Sequence, residues 1–244
     1  MTRCGADILI IGGSAEARLL ARHLAGRACA MLPGPERMAH PWAVPVLAEA
    51  LTDDALACAL AEGCRMVVDA SHPNDWRASQ IAARGAAATG LPILRLQRPP
   101  WRPTRRDRWV RLRDERDARF HVAPGARVFL ATGRETLMRF ACLNGVYVIA
   151  RQNTDHHDPF PLPRGRFLKG HAPFSVTGEA ALLRRLRIDW LILRNAGGPG
   201  GWPKLEAARR LGLRVGMIDR PVLPPVPVVR DVGAALDRIT AWLA

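Results

Sequence analysis

Short apolar runs alternate along this chain with longer stretches in which apolar residues recur every three or four positions. Ile8-Leu9-Ile10-Ile11 is a four-residue apolar run, the pattern of a strand buried on both faces. A Gly12-Gly13-Ser14 turn follows, and then Leu19, Leu20 and Leu24 at helical spacing. The same alternation continues. Strands are predicted at Ala28–Leu32, Val44–Leu47 (short), Met66–Asp69 and Pro92–Leu96, with helices from a Thr52 cap to about Ala61 and over Asp75–Thr89. Three prolines in Arg98–Pro103 break the pattern, and residues 105–124 read either as an edge strand or as a connector.

A second series begins at Ala126. Strands are predicted at Val128–Ala131, Val146–Ala150, Trp190–Leu193 and Arg214–Ile218. Helices are predicted at Gly133–Ala141, at Glu179–Leu186 capped by Ser175, at Lys204–Leu211 and at Val232–Leu243, with a polar loop over Asn153–Gly165. Two βα series of similar size imply an α/β fold of two Rossmann-like lobes, with mainly parallel sheets and a cleft between them. The expected lobes are residues 1–103 and 104–244. Ligands of such sheets sit beyond the carboxyl ends of the strands. Four segments fall there: Gly12-Gly13-Ser14, Asp69-Ala70-Ser71-His72-Pro73, Thr132-Gly133-Arg134 and Arg194-Asn195-Ala196-Gly197-Gly198. The first turn suits an anion, because glycine lets a phosphate approach the backbone N–H groups at a helix N-terminus.

Composition narrows the class. An apolar fraction of 48% indicates a core-forming protein, and no apolar run approaches the ~20 residues of a membrane span. No secretory signal is expected. Five scattered cysteines (Cys4, Cys29, Cys58, Cys64, Cys142) suggest neither a disulfide framework nor a zinc site, so a reducing cytoplasm is the simplest compartment. Net charge is +14, almost all of it arginine, since Lys169 and Lys204 are the only lysines. Arginine binds carboxylates and phosphates bidentately, although codon bias in a GC-rich genome produces the same excess. Acidic residues are interspersed among Arg105–Arg119 and aromatics are few, which argues against nucleic-acid binding and for a small polyanionic ligand. His156 and His157 are adjacent on a loop and read as solvated, so no metal is expected.

In this order and spacing the segments resemble the precorrin-6A reductase family of cobalamin biosynthesis over essentially the whole chain. The pieces are the GGSAEAR turn at Gly12–Arg18, DASHP at Asp69–Pro73, Leu94–Trp101, the ATGR turn at Ala131–Arg134, Ala172-Pro173-Phe174-Ser175, Arg194–Gly198 and Lys204–Ala208. Three positions depart from the family pattern: Asn74-Asp75 where an apolar residue is usual, Ala196 where serine is common, and His171-Ala172 in place of Arg-Gly.

The resemblance implies NADPH-dependent reduction of one macrocycle double bond of precorrin-6A, giving precorrin-6B, without metal or flavin. It implies hydride transfer from the nicotinamide, a polycarboxylate tetrapyrrole as substrate, and hand-over among neighbouring pathway enzymes. Gly12, Gly13, Ser14, Ala15 and Glu16 would then meet the pyrophosphate, with Ser14 also a helix cap and Glu16 either a contact or a helix stabiliser. No acid ends the second strand, so NADPH is preferred over NADH, with Arg37 as the 2′-phosphate contact. Ser71 and His72 are cofactor candidates, and His72, because free imidazole titrates near neutrality, competes with water as the proton donor. Thr132, Gly133 and Arg134 form a second helix-start anion site. Arg194, Asn195 and Gly197 are substrate candidates, while Arg95 and Arg98 either bind substrate or brace the linker. Lys204 opposes a helix dipole, a disadvantage that a bound carboxylate would explain. The rival readings are a different NAD(P)-dependent oxidoreductase, the cobalt-precorrin-6A version of the reaction, and a non-catalytic NADPH sensor.

Overall fold

Eleven strands in two parallel sheets order the chain in the computed structural model, which describes residues 5–34, 41–152, 158–170 and 173–243. The first sheet holds β1 (Ile8–Ile11), β2 (Ala28–Met31), β3 (Met66–Asp69), β4 (Ile93–Leu96) and the two-residue β11 (Val228–Val229), in the order β11-β4-β3-β1-β2. Strand β1 lies between β2 and β3, with Ile8 level with Ala28 on one side and Met66 on the other. Alternation along it splits the core in two. Ile8 and Ile10 pack with α1 (Ala15–His23) and α6 (Val232–Leu243), whereas Leu9 and Ile11 pack with α2 (Asp53–Ala61) and α3 (Trp76–Thr89). On α1 the buried stripe is Ala17, Leu20 and Ala21; Leu19, expected on that face, is exposed.

The second sheet holds β5 (Arg108–Leu112), β6 (Arg127–Ala131), β7 (Tyr147–Gln152), β8 (Gly165–Lys169), β9 (Trp190–Arg194) and β10 (Arg214–Ile218), in the order β5-β10-β9-β6-β7-β8. Helices α4 (Val176–Arg185) and α5 (Trp202–Arg210) cover one face. The other face is covered through two 3-10 turns, Glu115–Phe120 and Leu137–Phe140, which bury Ala118, Leu137 and Phe140. Side-chain caps start the helices where expected: Thr52 accepts from the Ala55 N–H, Asp75 from Ala78 and Ser175 from Gly178.

Four expectations need correction. Residues Pro221–Ala244 belong to the first unit, with Met1–Pro99, and the second unit is Pro100–Arg220. The cause is β11, which pairs with β4, and α6, whose Ala235 and Ile239 fill the α1 side of the first core. The predicted helix Gly133–Ala141 is absent: Gly133 has φ 85°, and only the i, i+3 pair Leu137 and Phe140 needs burial, which a 3-10 turn satisfies. Val44–Leu47 is a single bridge between Val46 and Ala30 rather than a strand. Strand β8 begins where a loop was expected to end. Cys58, Cys64 and Cys142 are free and Cys29 is disulfide-bonded, a single bond rather than a framework. Among the described residues no helix is long and apolar enough to cross a membrane.

Candidate active site

Each sheet reverses its winding at one place inside the sheet, and a doubly wound sheet binds ligand at such a point. In the first sheet the reversal lies between β1 and β3, in the second between β6 and β9. Gly12–Ser14 follows β1 and Asp69–His72 closes β3; Thr132–Arg134 follows β6 and Arg194–Gly198 closes β9. All four segments singled out in the sequence therefore flank a switch point.

In the first unit the glycine turn and the β3 turn touch. Gly13 has φ 121°, and a Cβ there would come within 3.3 Å of the His72 backbone nitrogen. Ser14 joins the two turns: its hydroxyl donates to the Ala70 carbonyl at 2.7 Å and accepts from the Ala17 N–H at 3.1 Å. The cap satisfies the Ala17 donor only, so the N–H groups of Ala15 and Glu16 have no acceptor within the helix. Gly13 and Ala15 are exposed. A bare, exposed backbone turn at a helix N-terminus fits a pyrophosphate. Glu16 is ion-paired with Arg98, and both side chains are largely buried.

Asp69 organises the turn after β3. It is 1% exposed and accepts from the Ser71 N–H (3.1 Å) and hydroxyl (2.7 Å), the Ser79 hydroxyl (2.7 Å) and the Arg95 Nε (2.9 Å). Arg95 also donates to the Pro224 carbonyl at 3.0 Å, tying β4 to the returning chain. Nε and Nη1 thus brace the turn and the C-terminal segment, while Nη2 is buried without a partner among the described residues. His72 accepts the Asn74 N–H through Nδ1 at 3.2 Å, an assignment that puts the ring proton on Nε2. Arg37, His156 and His157 lie outside the described residues.

In the second unit Thr132 is buried, and its hydroxyl has no partner among the described residues. Arg134 is ion-paired with Asp158 and stacks on Phe167 at 5.2 Å. Arg194 donates to Glu115 at 3.0 Å and to Thr136 at 2.8 Å. Glu115, buried, also takes Arg139, and its carboxyl stays below the usual range: burial pushes it up, but its own backbone N–H and Arg194 outweigh that. Asn195 holds the Trp101 backbone from both sides, accepting its N–H at 2.8 Å and donating to its carbonyl at 3.0 Å. Gly197, φ 69°, continues that turn. Arg194 and Asn195 thus buttress the β9 end.

Away from that turn lies a charged cluster of which the sequence reading found only Lys204. Arg151, on β7, donates to Glu179, in the first turn of α4, at 2.6 Å, and both are over nine-tenths buried. Lys204, 8% exposed in the first turn of α5, has its Nζ 4.5 Å from the Phe174 ring centroid; the Arg151 guanidinium is 4.4 Å from the same ring. Burial lowers the Lys204 pKa, with Glu179 opposing and Arg151 reinforcing the shift. Among the described residues two cations face one carboxylate in a desolvated place, a balance that favours an anionic ligand. The signal in the sequence was Arg151, an arginine closing the apolar run Val148-Ile149-Ala150.

A family model described as Precorrin-6x reductase CbiJ/CobK matches residues 7–243. The chain is 36% identical over 252 residues to the precorrin-6A reductase of Rhodobacter capsulatus, covering 97% of this chain and 95% of that one. A protein named cobalt-precorrin-6A reductase, from Priestia megaterium, is 29% identical over 169 residues, 65% of this chain and 66% of its own. A solved structure titled CobK precorrin-6A reductase superposes with a TM-score of 0.89 at 32% identity, over 100% of this chain and 98% of that one. By the family model over residues 7–243, the 36% identity across the chain and the matching solved structure, the chain belongs to the precorrin-6x reductase CbiJ/CobK family.

Proposed function

We propose that this protein is an NADPH-dependent reductase that converts precorrin-6A to precorrin-6B in the cytoplasm. The observation that carries the reading is the pairing of full-length similarity to proteins of that name with four motifs set at two switch points. Similarity to the cobalt-precorrin protein is lower and covers less of the chain, which favours the metal-free substrate.

The nicotinamide, when bound, supplies the hydride, and the chain supplies position and charge. Gly12, Gly13, Ala15 and the cap residue Ser14 form the pyrophosphate turn, Ser71 and His72 border it, and Glu16 sets the helix by holding Arg98. Thr132, Gly133 and Arg134 line the second switch point, where Arg194, Asn195 and Gly197 shape the substrate side. Lys204 meets a substrate carboxylate. His72 borders the first turn, and its ring, once protonated from solvent, would return that proton to the macrocycle carbon next to the hydride acceptor.

Mixing the protein with NADPH and precorrin-6A under anaerobic conditions tests this. The expected result is loss of nicotinamide absorbance matched by a product two hydrogens heavier. Binding of NADPH without its oxidation would support a sensor instead. His72→Ala is expected to slow the single-turnover rate by about 100-fold. An unchanged rate would assign the proton to water.

A further inference from the structure

In a doubly wound sheet the adenosine half of a dinucleotide lies on the second-strand side of the switch point, so the nicotinamide half reaches to the other side. In the first unit that side is the turn after β3, and a Cβ at Gly13 would lie 3.3 Å from the backbone of that turn. The polar side chains there are nearly all engaged within the fold. Asp69 takes four donors, Ser71 bonds to Asp69, His72 accepts the Asn74 N–H, and Asp75 caps α3 through the Ala78 N–H. The Asp75 N–H closes the turn by donating to the His72 carbonyl at 2.7 Å. Asn74 is the exception. Its backbone is held, yet its amide Nδ2 and Oδ1 are both buried without a partner among the described residues. A buried donor and a buried acceptor left unmade each destabilise the fold, and an apolar side chain of similar size would avoid both losses. No hydrogen bond fixes the amide, so it turns about its side-chain torsions at the cost of a rotamer change only. Donor and acceptor on one planar group match a second primary carboxamide, which carries the same pair in reverse.

We propose that Asn74 holds the carboxamide of the nicotinamide, with Nδ2 donating to its carbonyl and Oδ1 accepting its N–H. Asn74 thereby fixes the rotation of the ring, and with it the face that meets the substrate. The inference rests on the NADPH reading above. Calorimetric titrations of the full-length protein with NADP+, its 3-acetylpyridine analogue and 2′,5′-ADP test it without turnover. The analogue carries a methyl group in place of the amide NH2, and 2′,5′-ADP lacks the nicotinamide half. The wild type is expected to bind NADP+ about tenfold more tightly than the analogue. Asn74→Leu should weaken NADP+ until that preference falls to within about twofold. The same variant should bind 2′,5′-ADP as the wild type does and melt no lower, since it removes two unsatisfied buried groups. A wild type indifferent to the amide overturns the assignment of Asn74 without any variant. Equal weakening of NADP+ and 2′,5′-ADP in Asn74→Leu, no change in either, or a lower melting temperature does the same. A wild type that binds neither NADP+ nor 2′,5′-ADP instead overturns the NADPH reading itself.

Discussion

A lysine in the first turn of a helix, buried to 8% exposure and near an arginine, is held against three electrostatic penalties at once. Lys204 is the residue whose position most needs a ligand to explain it. Because its pKa is lowered from 10.5 in the folded protein, chiefly by burial, the unfolded chain binds more protons between the lowered value and 10.5. Stability should therefore rise with pH across that window and carry the full cost of the buried ammonium below it. Lys204→Met is expected to raise stability at neutral pH by about 1 kcal/mol and to abolish the alkaline rise. The same variant should weaken tetrapyrrole binding about tenfold. Thermal melts from pH 7 to 11, set beside KM for the tetrapyrrole, check both; a variant less stable than the wild type would show the ammonium to be structural. This residue was legible because a cation at a helix start breaks a local rule. Its neighbours Arg151 and Glu179 were not, since a glutamate in a first turn obeys the rule and its burial depends on tertiary packing.

At the scale of elements, what could be read depended on whether local pattern and tertiary role agreed. Ile8–Ile11, Met66–Asp69 and Trp190–Arg194 were legible as strands because continuous apolar runs are needed where both faces are covered. Strand β8, Gly-Arg-Phe-Leu-Lys at a sheet edge, carries no such run, and the sequence offers no strand signal beyond the loop expected to end at Gly165. The 3-10 turn Glu115–Phe120 was hidden in a charged stretch, yet its first residue clamps Arg194 at the end of β9. Glu115 has a pKa below 4.5, so its contribution is full above that value and is lost as pH falls through the folded value. Glu115→Gln should cost about 3 kcal/mol at pH 7, and the gap from wild type should close in acid. Urea titrations at pH 7 and pH 3.5 measure this; a gap independent of pH would exclude the carboxylate–arginine clamp as its cause.

On the scale of the molecule, the two sheets share a chain in a way no local pattern announces. Four strands of the first sheet run in the order β4-β3-β1-β2, and the next strand in sequence, β5, joins the second sheet instead. The outer place beside β4 is filled by β11, after the second series has ended. A two-residue strand in the proline-rich stretch Pro221–Val229 gives the sequence no strand signal, so the return of the chain was invisible while the strand–helix alternation was not. Sharing makes the units unequal. Pro100–Arg220 is one continuous segment, whereas the first unit depends on residues beyond 220 for β11 and α6. Ile239 is fully buried there, and Val232, Leu236, Trp242 and Leu243 pack on the same core. At about 1.5–3 kcal/mol for each large apolar side chain fully buried, losing them removes an amount comparable to the about 5–15 kcal/mol that stabilises a domain. A chain ending at Arg220 should therefore lose the calorimetric transition of the first unit and with it NADP+ binding. A fragment of residues 100–220 should still unfold cooperatively, with the circular dichroism of a parallel α/β unit. If the shortened chain kept both transitions, β11 and α6 would be decoration on a first unit that folds without them.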